Sequence, residues 1–284
     1  MKAPEFAYER ATSLASALQR LAELGDGARI LAGGQSLIPS LNLRLQSPDV
    51  LLDISRLPEL RGIKVEGSAI RIGALTRHAD LLGSELIALS CPLLALAVPH
   101  IAHPAIRNRG TIGGSLALGD PAAELPACML ALDATIVAAS VKGERRIPAR
   151  TFYTGMFSNT LGPNELIIAV EVPFLARDER DGFLELARRE GDYAMIGLAA
   201  RGAFAAGRFA SLTLAYFAAG DRPILAQGAA AALLGRPLDD AAITAAVTCL
   251  ATDLPDFHDL NADAAVRRHL AGVLLRRILP QLTA

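Results

Sequence analysis

Two short runs in this chain carry the residue types that hold anions: Ala32-Gly33-Gly34-Gln35-Ser36 and Thr111-Ile112-Gly113-Gly114-Ser115. Each places two glycines and a hydroxyl directly after an apolar stretch. Glycine reaches positive φ and has no Cβ, so such a turn can aim several backbone N–H groups at one anion. Hydrogen bonds to charged groups contribute about 1.5–3 kcal/mol each, and a helix starting behind a turn adds roughly 0.3–1 kcal/mol through its dipole. Ser36 and Ser115 offer hydroxyls as further donors. The two turns lie about eighty residues apart, and their shared grammar suggests one diphosphate held from two sides, as in a nucleotide cofactor. Tight binding of this kind needs no lysine.

Other chemistries find less support. No Gly-x-Gly-x-x-Gly follows the first apolar run, no Gly-x-x-x-x-Gly-Lys-Ser/Thr is present, and Gly-x-Ser-x-Gly is missing. A Rossmann site, a P-loop and a nucleophile elbow are therefore unsupported. His100 and His103 stand at i, i+3, but Pro104 follows and no carboxylate or cysteine lies close by, which favours structural roles over a metal pair. Cys91, Cys128 and Cys249 are widely spaced and odd in number, and they read as small buried apolar residues. Such a set cannot ligate an iron–sulfur cluster.

The elements that must position the turns follow from periodicity. Leu14, Leu18, Leu21 and Leu24 recur at helical spacing, and Gly25-Asp26-Gly27 ends that run. Ala28 to Leu31 reads as a buried strand delivering the chain into the first turn, and Val50 to Ile54 as a second strand closing a βαβ-like unit. Ile63 to Ala74 alternates around Gly67-Ser68, a hairpin pattern. Helical character runs from Ser84 to Ala102. Asp120-Pro121 is expected to cap and start a helix. Strands are expected near Thr135–Ala139, Glu165–Val172, Ile196–Phe204 and Leu212–Ala218. Arg177 to Asp181 reads as a charged linker. The tail from Ala262 to Leu279 is an amphipathic helix with Arg267, Arg268, Arg276 and Arg277 on a solvated face.

With 284 residues and 52% apolar composition the chain can build two domains with real cores. Its formal net charge of -1, without long charge runs, gives no electrostatic support for nucleic acid. Met1 to Phe6 shows no signal-peptide core and no apolar stretch suits a membrane span, so a cytoplasmic protein without membrane insertion is expected.

Longer motifs carry a resemblance. Ala32 to Pro39, His103-Pro104-Ala105-Ile106-Arg107-Asn108-Arg109-Gly110-Thr111-Ile112-Gly113-Gly114-Ser115-Leu116-Ala117, Asp120-Pro121-Ala122-Ala123-Glu124-Leu125-Pro126-Ala127 and Arg189 to Ala194 resemble the FAD-binding medium subunit of the molybdenum hydroxylases, the group of carbon monoxide dehydrogenase and the xanthine dehydrogenases. The similarity covers essentially the whole chain. It implies an α+β fold with a two-subdomain FAD-binding unit of the vanillyl-alcohol-oxidase type, residues 1–176 divided near 55, then a smaller C-terminal α/β domain, residues 177–284. It places Ala32, Gly33, Gly34, Gln35, Ser36 and Leu37 with Thr111, Ile112, Gly113, Gly114 and Ser115 around the pyrophosphate and ribityl chain. Asp120 and Glu124 stand where the family hydrogen-bonds the cofactor, Tyr193 where an aromatic shields the isoalloxazine, and Leu161 and Leu166 near the flavin-contacting segment. No catalytic or metal-ligating residue is implied.

The implied role is electron transfer. A molybdopterin-binding large subunit would oxidise the substrate, a small subunit with two [2Fe–2S] clusters would relay the electrons, and FAD on this chain would pass them to an external acceptor. Alternatives are a self-sufficient flavin oxidoreductase of the same fold and a redox-inactive FAD-binding scaffold. Two departures from relatives stand out. Gln35 replaces a histidine, and no histidine occupies either glycine motif, which implies non-covalent FAD. Glu185 stands where some relatives carry a basic residue, which leaves the flavin's potential open.

Overall fold

The computed structural model describes residues 2–283 and contains three principal sheets. In the first, β1 (Ala7–Arg10), β2 (Ala28–Leu31) and β3 (Val50–Asp53) run parallel in the order β1-β3-β2. The crossovers contain α1 (Leu14–Leu24) and α2 (Leu37–Asn42). Ser13 starts α1 through a capping box. Its hydroxyl accepts the Ser16 N–H, and the Ser16 hydroxyl accepts the Ser13 N–H. Ala17 and Leu21 then bury over the sheet. The register sets Arg10 and Leu31 on either side of Asp53, so all three strands end together at one carboxyl edge.

The second unit begins with the expected hairpin, β4 (Ile63–Glu66) and β5 (Ala69–Gly73), turning at Gly67 with φ of 60°. Six short helices follow: α3 (His78–Leu82), α4 (Glu85–Ser90), α5 (Pro92–Ala97), α6 (Pro104–Arg107), α7 (Ile112–Leu118) and α8 (Glu124–Ala131). Then come β6 (Thr135–Ser140), β7 (Gly143–Pro148), a small hairpin of β8 (Tyr153–Gly155) and β9 (Ser158–Asn159), and β10 (Leu166–Pro173). The antiparallel sheet runs β4-β5-β10-β6-β7. Central β10 is buried on both sides. Leu166, Ile168 and Ala169 join the first sheet's core, while Ile167, Val170 and Val172 join the core under the helices. That double burial explains its nearly continuous apolar run.

The third sheet is antiparallel, with β11 (Glu179–Ala187), β12 (Ala194–Ala205), β13 (Arg208–Phe217) and β14 (Ile224–Leu225) in sequence order. Helices α9 (Gln227–Leu233), α10 (Asp240–Asp253) and α11 (Ala264–Thr283) pack with it around one core. Its strands are long and Ala-rich, and the α+β class expected for the chain is what forms.

Three local expectations change. Glu179 to Asp181 belong to β11 and are not linker. Asp181 sits across from Arg201, which donates to it from Nε at 2.7 Å and Nη2 at 3.0 Å, and Asp181 also accepts the Leu93 N–H at the start of α5. A buried bidentate pair that also caps a helix ties the third sheet to the second unit. Arg267 is 2% exposed and not solvated. It donates to Ala218 O and Asp259 and lies over the Phe257 ring. Finally, Asp120 does not cap a helix. Its side chain closes a turn by accepting the Ala122 N–H, and α8 starts only at Glu124.

Candidate cofactor site

The first glycine turn leaves β2 at the carboxyl edge of the parallel sheet and enters α2. Gly34 has φ of 72°, the left-handed region that glycine occupies freely. Gly33 meets a different requirement, since a Cβ there would lie 2.3 Å from the Arg109 carbonyl oxygen. The turn therefore rests directly on the backbone that precedes the second turn. Among the described residues, nothing in the chain accepts from the N–H groups of Gly34, Gln35 and Ser36. The Gln35 amide folds back to donate to Gly33 O at 2.9 Å, which stiffens the turn. Beside it lies a cavity of about 1090 Å³, walled by Ala32 to Gln35, by Arg10 and Asp53 at the strand ends, and by Thr111 opposite.

The second turn is built differently. The Ile112 N–H donates to Thr76 O and the Gly113 N–H to Ala74 O. Thr111 caps α7, its hydroxyl accepting from Gly114 N–H at 3.2 Å, and the Ser115 N–H bonds Thr111 O. Gly113 is required by packing, since a Cβ would lie 2.6 Å from the Ala74 Cβ. At Gly114 an added Cβ would meet one atom, Thr111 Oγ1 at 2.9 Å. Beneath the loop His78 is 5% exposed, and neither ring nitrogen has a partner. Burial lowers its pKa to about 4, opposed by the Thr111 backbone. The imidazole is thus neutral and acts as a spacer under Gly110.

The other sequence-derived candidates gather elsewhere. Asp120, Glu124 and Tyr193 lie close enough for the two carboxylates to act on the phenol, whose pKa is raised by crowding and then by their charges. Glu185 belongs to the same group. Its side chain is 4% exposed, with Oε2 4.0 Å from His100 Nδ1. Burial, then the Glu124 charge, pushes the Glu185 carboxyl up to about 8. Burial and the Asp120 charge push Glu124 up to about 7 against its own backbone N–H. Leu161 packs against the second unit's core. Leu166 is buried toward the first sheet and does not line the cavity.

The comparisons with known proteins decide the family. Residues 4–175 match the family described as the FAD binding domain in molybdopterin dehydrogenase, and residues 182–282 the CO dehydrogenase flavoprotein C-terminal domain. The chain belongs to the FAD-binding medium subunits of the molybdenum hydroxylases. The carbon monoxide dehydrogenase medium chain of Hydrogenophaga pseudoflava is 36% identical over 97% of this chain and 96% of its own length. The 6-hydroxypseudooxynicotine dehydrogenase complex subunit alpha of Paenarthrobacter nicotinovorans is 41% identical over 98% and 95%. Among solved structures, carbon monoxide dehydrogenase from Hydrogenophaga pseudoflava, in a form lacking the Mo-pyranopterin moiety, superposes with a TM-score of 0.96. That match covers 99% of this chain and 98% of the other at 37% identity. This medium subunit is accordingly an oxidoreductase-complex subunit with an FAD-binding domain. Among its described residues no helix is long and apolar enough to cross a membrane.

The residues of the medium subunit fit a dinucleotide. Free backbone donors at Gly34, Gln35 and Ser36 suit a diphosphate, and the cavity has room for more than a mononucleotide. Arg56, Arg77 and Arg109 also line it, and none has a carboxylate partner among the described residues. These arginines were missed in the sequence, as was Asp53, which is held by Tyr8, Arg10 and the Ser55 N–H. A signal existed. In parallel sheets ligands bind beyond the carboxyl ends of the strands, and Arg10, Asp53 and Arg56 stand at or just past those ends.

Proposed function

We propose that this chain is the electron-transfer subunit of a molybdenum hydroxylase, receiving electrons from [2Fe–2S] clusters on a partner and passing them through non-covalent FAD to an external acceptor. The observation that carries this reading is the first turn, which has three unclaimed N–H groups and whose Ala32 to Gln35 line a cavity together with the unpaired Arg56, Arg77 and Arg109. Bound FAD would supply the redox chemistry, accepting electrons singly or in pairs. The chain's own part is to bind and orient it. Gly34 to Ser36 would hold the diphosphate, with Arg56, Arg77 and Arg109 balancing its charge. Ala32, Gly33 and Leu37 shape that turn, and Thr111 to Ser115 form the opposite wall. Asp120, Glu124 and Tyr193, with Leu161 behind them, would border the ring end, and Leu166 would support the site from the first sheet's core. Residues 1–176 and 177–284 serve in this reading as the binding unit and the domain that closes over it. A molybdopterin-binding large subunit and a [2Fe–2S] small subunit complete the assembly, named in relatives as subunits or medium chains of dehydrogenases. A cytoplasmic location belongs to the same proposal.

The test is a visible absorption titration of the purified chain with FAD, followed by dithionite. Saturable binding, reductive bleaching and no turnover of organic substrates by the chain alone are expected. Turnover by the isolated chain would replace this reading with a self-sufficient flavin oxidoreductase. Binding without reduction would favour a scaffold.

A further inference from the structure

The turn between α5 and α6 is held by one side chain. Ala102 has φ of 41°, the left-handed region, which a residue bearing a Cβ keeps only when its surroundings impose it. Arg107, the last residue of α6, supplies that constraint. Its Nη1 donates to Pro99 O at 3.1 Å, to Ile101 O at 2.8 Å and to Ala102 O at 2.9 Å. Carbonyls of one short turn thus converge on a single nitrogen, and hydrogen bonds from a charged donor are the stronger class. Arg107 has no carboxylate partner among the described residues. Its neighbours Ile106, Asn108 and Arg109 line the large cavity, and Arg107 does not.

The connection between β11 and β12, residues 188–193, rests on this turn. Gly191 has φ of 81°, and a Cβ there would lie 2.5 Å from His103 Cε1 and 3.2 Å from Ala102 O. Its backbone therefore lies against the His103 ring and against the same carbonyl that Arg107 holds. Elsewhere in the connection Arg188 Nη2 donates to Asn261 O at 3.2 Å, and the Asp192 N–H donates to Arg189 O. Tyr193 ends the connection and is 71% exposed. Its hydroxyl bonds nothing in the chain among the described residues, so the backbone of the connection sets where the ring lies.

We infer that Arg107 is a positioning residue for Tyr193. By holding Ala102 left-handed it fixes the carbonyl and the His103 ring on which Gly191 rests, and Gly191 stands two residues before Tyr193. The inference rests on the proposed reading that Tyr193 borders the ring end of FAD, and adds what keeps it there. Arg107 acts through backbone and touches no cofactor. Its part differs from that of Arg56, Arg77 and Arg109, whose charges line the cavity.

Hydrogen exchange of the full chain without FAD, read by mass spectrometry, tests the latch. Arg107→Met keeps the stem and removes the donor. It should speed exchange about tenfold in residues 98–103 and 188–193 and leave residues 28–36 unchanged. His103→Ala, at an exposed position, should speed residues 188–193 alone. Glycine takes a left-handed φ without help, so adding Ala102→Gly to Arg107→Met should return exchange to within about threefold of native. FAD is then added to each protein. Affinity should stay within about threefold of native, since the first turn is untouched, while iodide should quench the bound flavin's fluorescence roughly twofold more in Arg107→Met and His103→Ala. Native-like exchange in residues 188–193 of Arg107→Met, or no rescue by Ala102→Gly, overturns the inference and leaves FAD binding standing. Faster exchange over the whole chain in both single variants overturns it too, because it marks lost stability and not a freed loop. If Arg107→Met fails to fold, His103→Ala decides, and native-like exchange in its residues 188–193 overturns the inference. A freed loop with unchanged iodide quenching overturns the placing of Tyr193 over the ring, and the inference with it. Failure of the native chain to bind FAD overturns the cofactor reading itself.

Discussion

The two glycine turns are alike in sequence and opposite in what they do with their backbone. In the first, Gly34, Gln35 and Ser36 leave their N–H groups unclaimed beside the cavity. In the second, Ile112, Gly113, Gly114 and Ser115 spend theirs on Thr76, Ala74 and Thr111. In the proposed reading the first turn is the anion cradle and the second a wall that holds it in place. The glycines divide in the same way. Gly33 and Gly113 permit contact with backbone and a neighbouring Cβ, Gly34 permits a left-handed conformation, and Gly114 leaves room for the Thr111 hydroxyl that caps its helix, which an added Cβ would meet at 2.9 Å. A motif of two glycines and a hydroxyl thus states that something comes close. It does not say whether that something is a ligand or the protein itself.

The largest effect should come from closing the seam between the turns. A Cβ at Gly33 would sit 2.3 Å from Arg109 O and 3.0 Å from the Gly110 Cα, and backbone cannot swing aside as a side chain can. Gly33→Ala is expected to cost about 3 kcal/mol or more in stability and to abolish FAD retention. Gly113→Ala meets Ala74 at 2.6 Å and should destabilise by a comparable amount. Its folded fraction should still bind FAD within about threefold of native affinity. Urea unfolding with parallel FAD titrations measures both. Equal loss of FAD affinity in the two variants, after correction for unfolded protein, would erase the distinction between cradle and wall.

The next largest effect concerns pH. His78 packs under Gly110, at the entry to the second turn. Its folded-state pKa, about 4, lies below the ordinary 6.5. The native state therefore binds fewer protons than the unfolded chain. The stability present above pH 6.5 is lost as pH falls toward 4, by roughly 1–3 kcal/mol. His78→Leu should remove that acid-side loss, seen as a flatter melting temperature between pH 7 and 4. An unchanged profile would mean that other groups govern acid stability.

What the sequence discloses and what it hides divide along contact distance. The helix of α1, the β4–β5 hairpin and the buried run of β10 are local patterns, and each formed where periodicity placed it. The use of Gly113's N–H by Ala74 is a contact across 39 residues, and no spacing rule discloses it. The arginine-lined cavity is likewise assembled from strand ends and loops distant in sequence. Arg267 reads as surface on a helical wheel because the wheel omits residues 254–263, whose Phe257 and Asp259 cover it. Glu179 to Asp181 read as linker because the partner that neutralises Asp181, Arg201, lies on the next strand.

Gly34→Ala addresses the cradle alone. Left-handed φ costs a residue bearing a Cβ about 1–2 kcal/mol, and the added atom would press Ile38 and Leu31 at 3.2 Å. The turn can relieve this only by rotating, which re-aims the N–H groups of Gln35 and Ser36. A tenfold loss of FAD affinity is expected, with modest change in stability. Calorimetric titration with FAD checks it, and undiminished affinity would show that these donors do not face the diphosphate.

The smallest and most discriminating change is Thr111→Val. Valine keeps the shape of threonine, its bulk on the buried side included, but accepts nothing from Gly114 N–H. Losing an N-cap acceptor costs about 1 kcal/mol, read as a small shift in urea midpoint. The substitution also frees a donor on the wall. If the wall faces the diphosphate as closely as the cradle does, the Gly114 N–H becomes a fourth anion donor, and FAD affinity should rise or hold despite the weaker helix. If α7 only buttresses the first turn, affinity should fall in step with helix stability. The first outcome would show two turns sharing one anion, with the second holding its donor in reserve. The second would confine the anion to Gly34, Gln35 and Ser36.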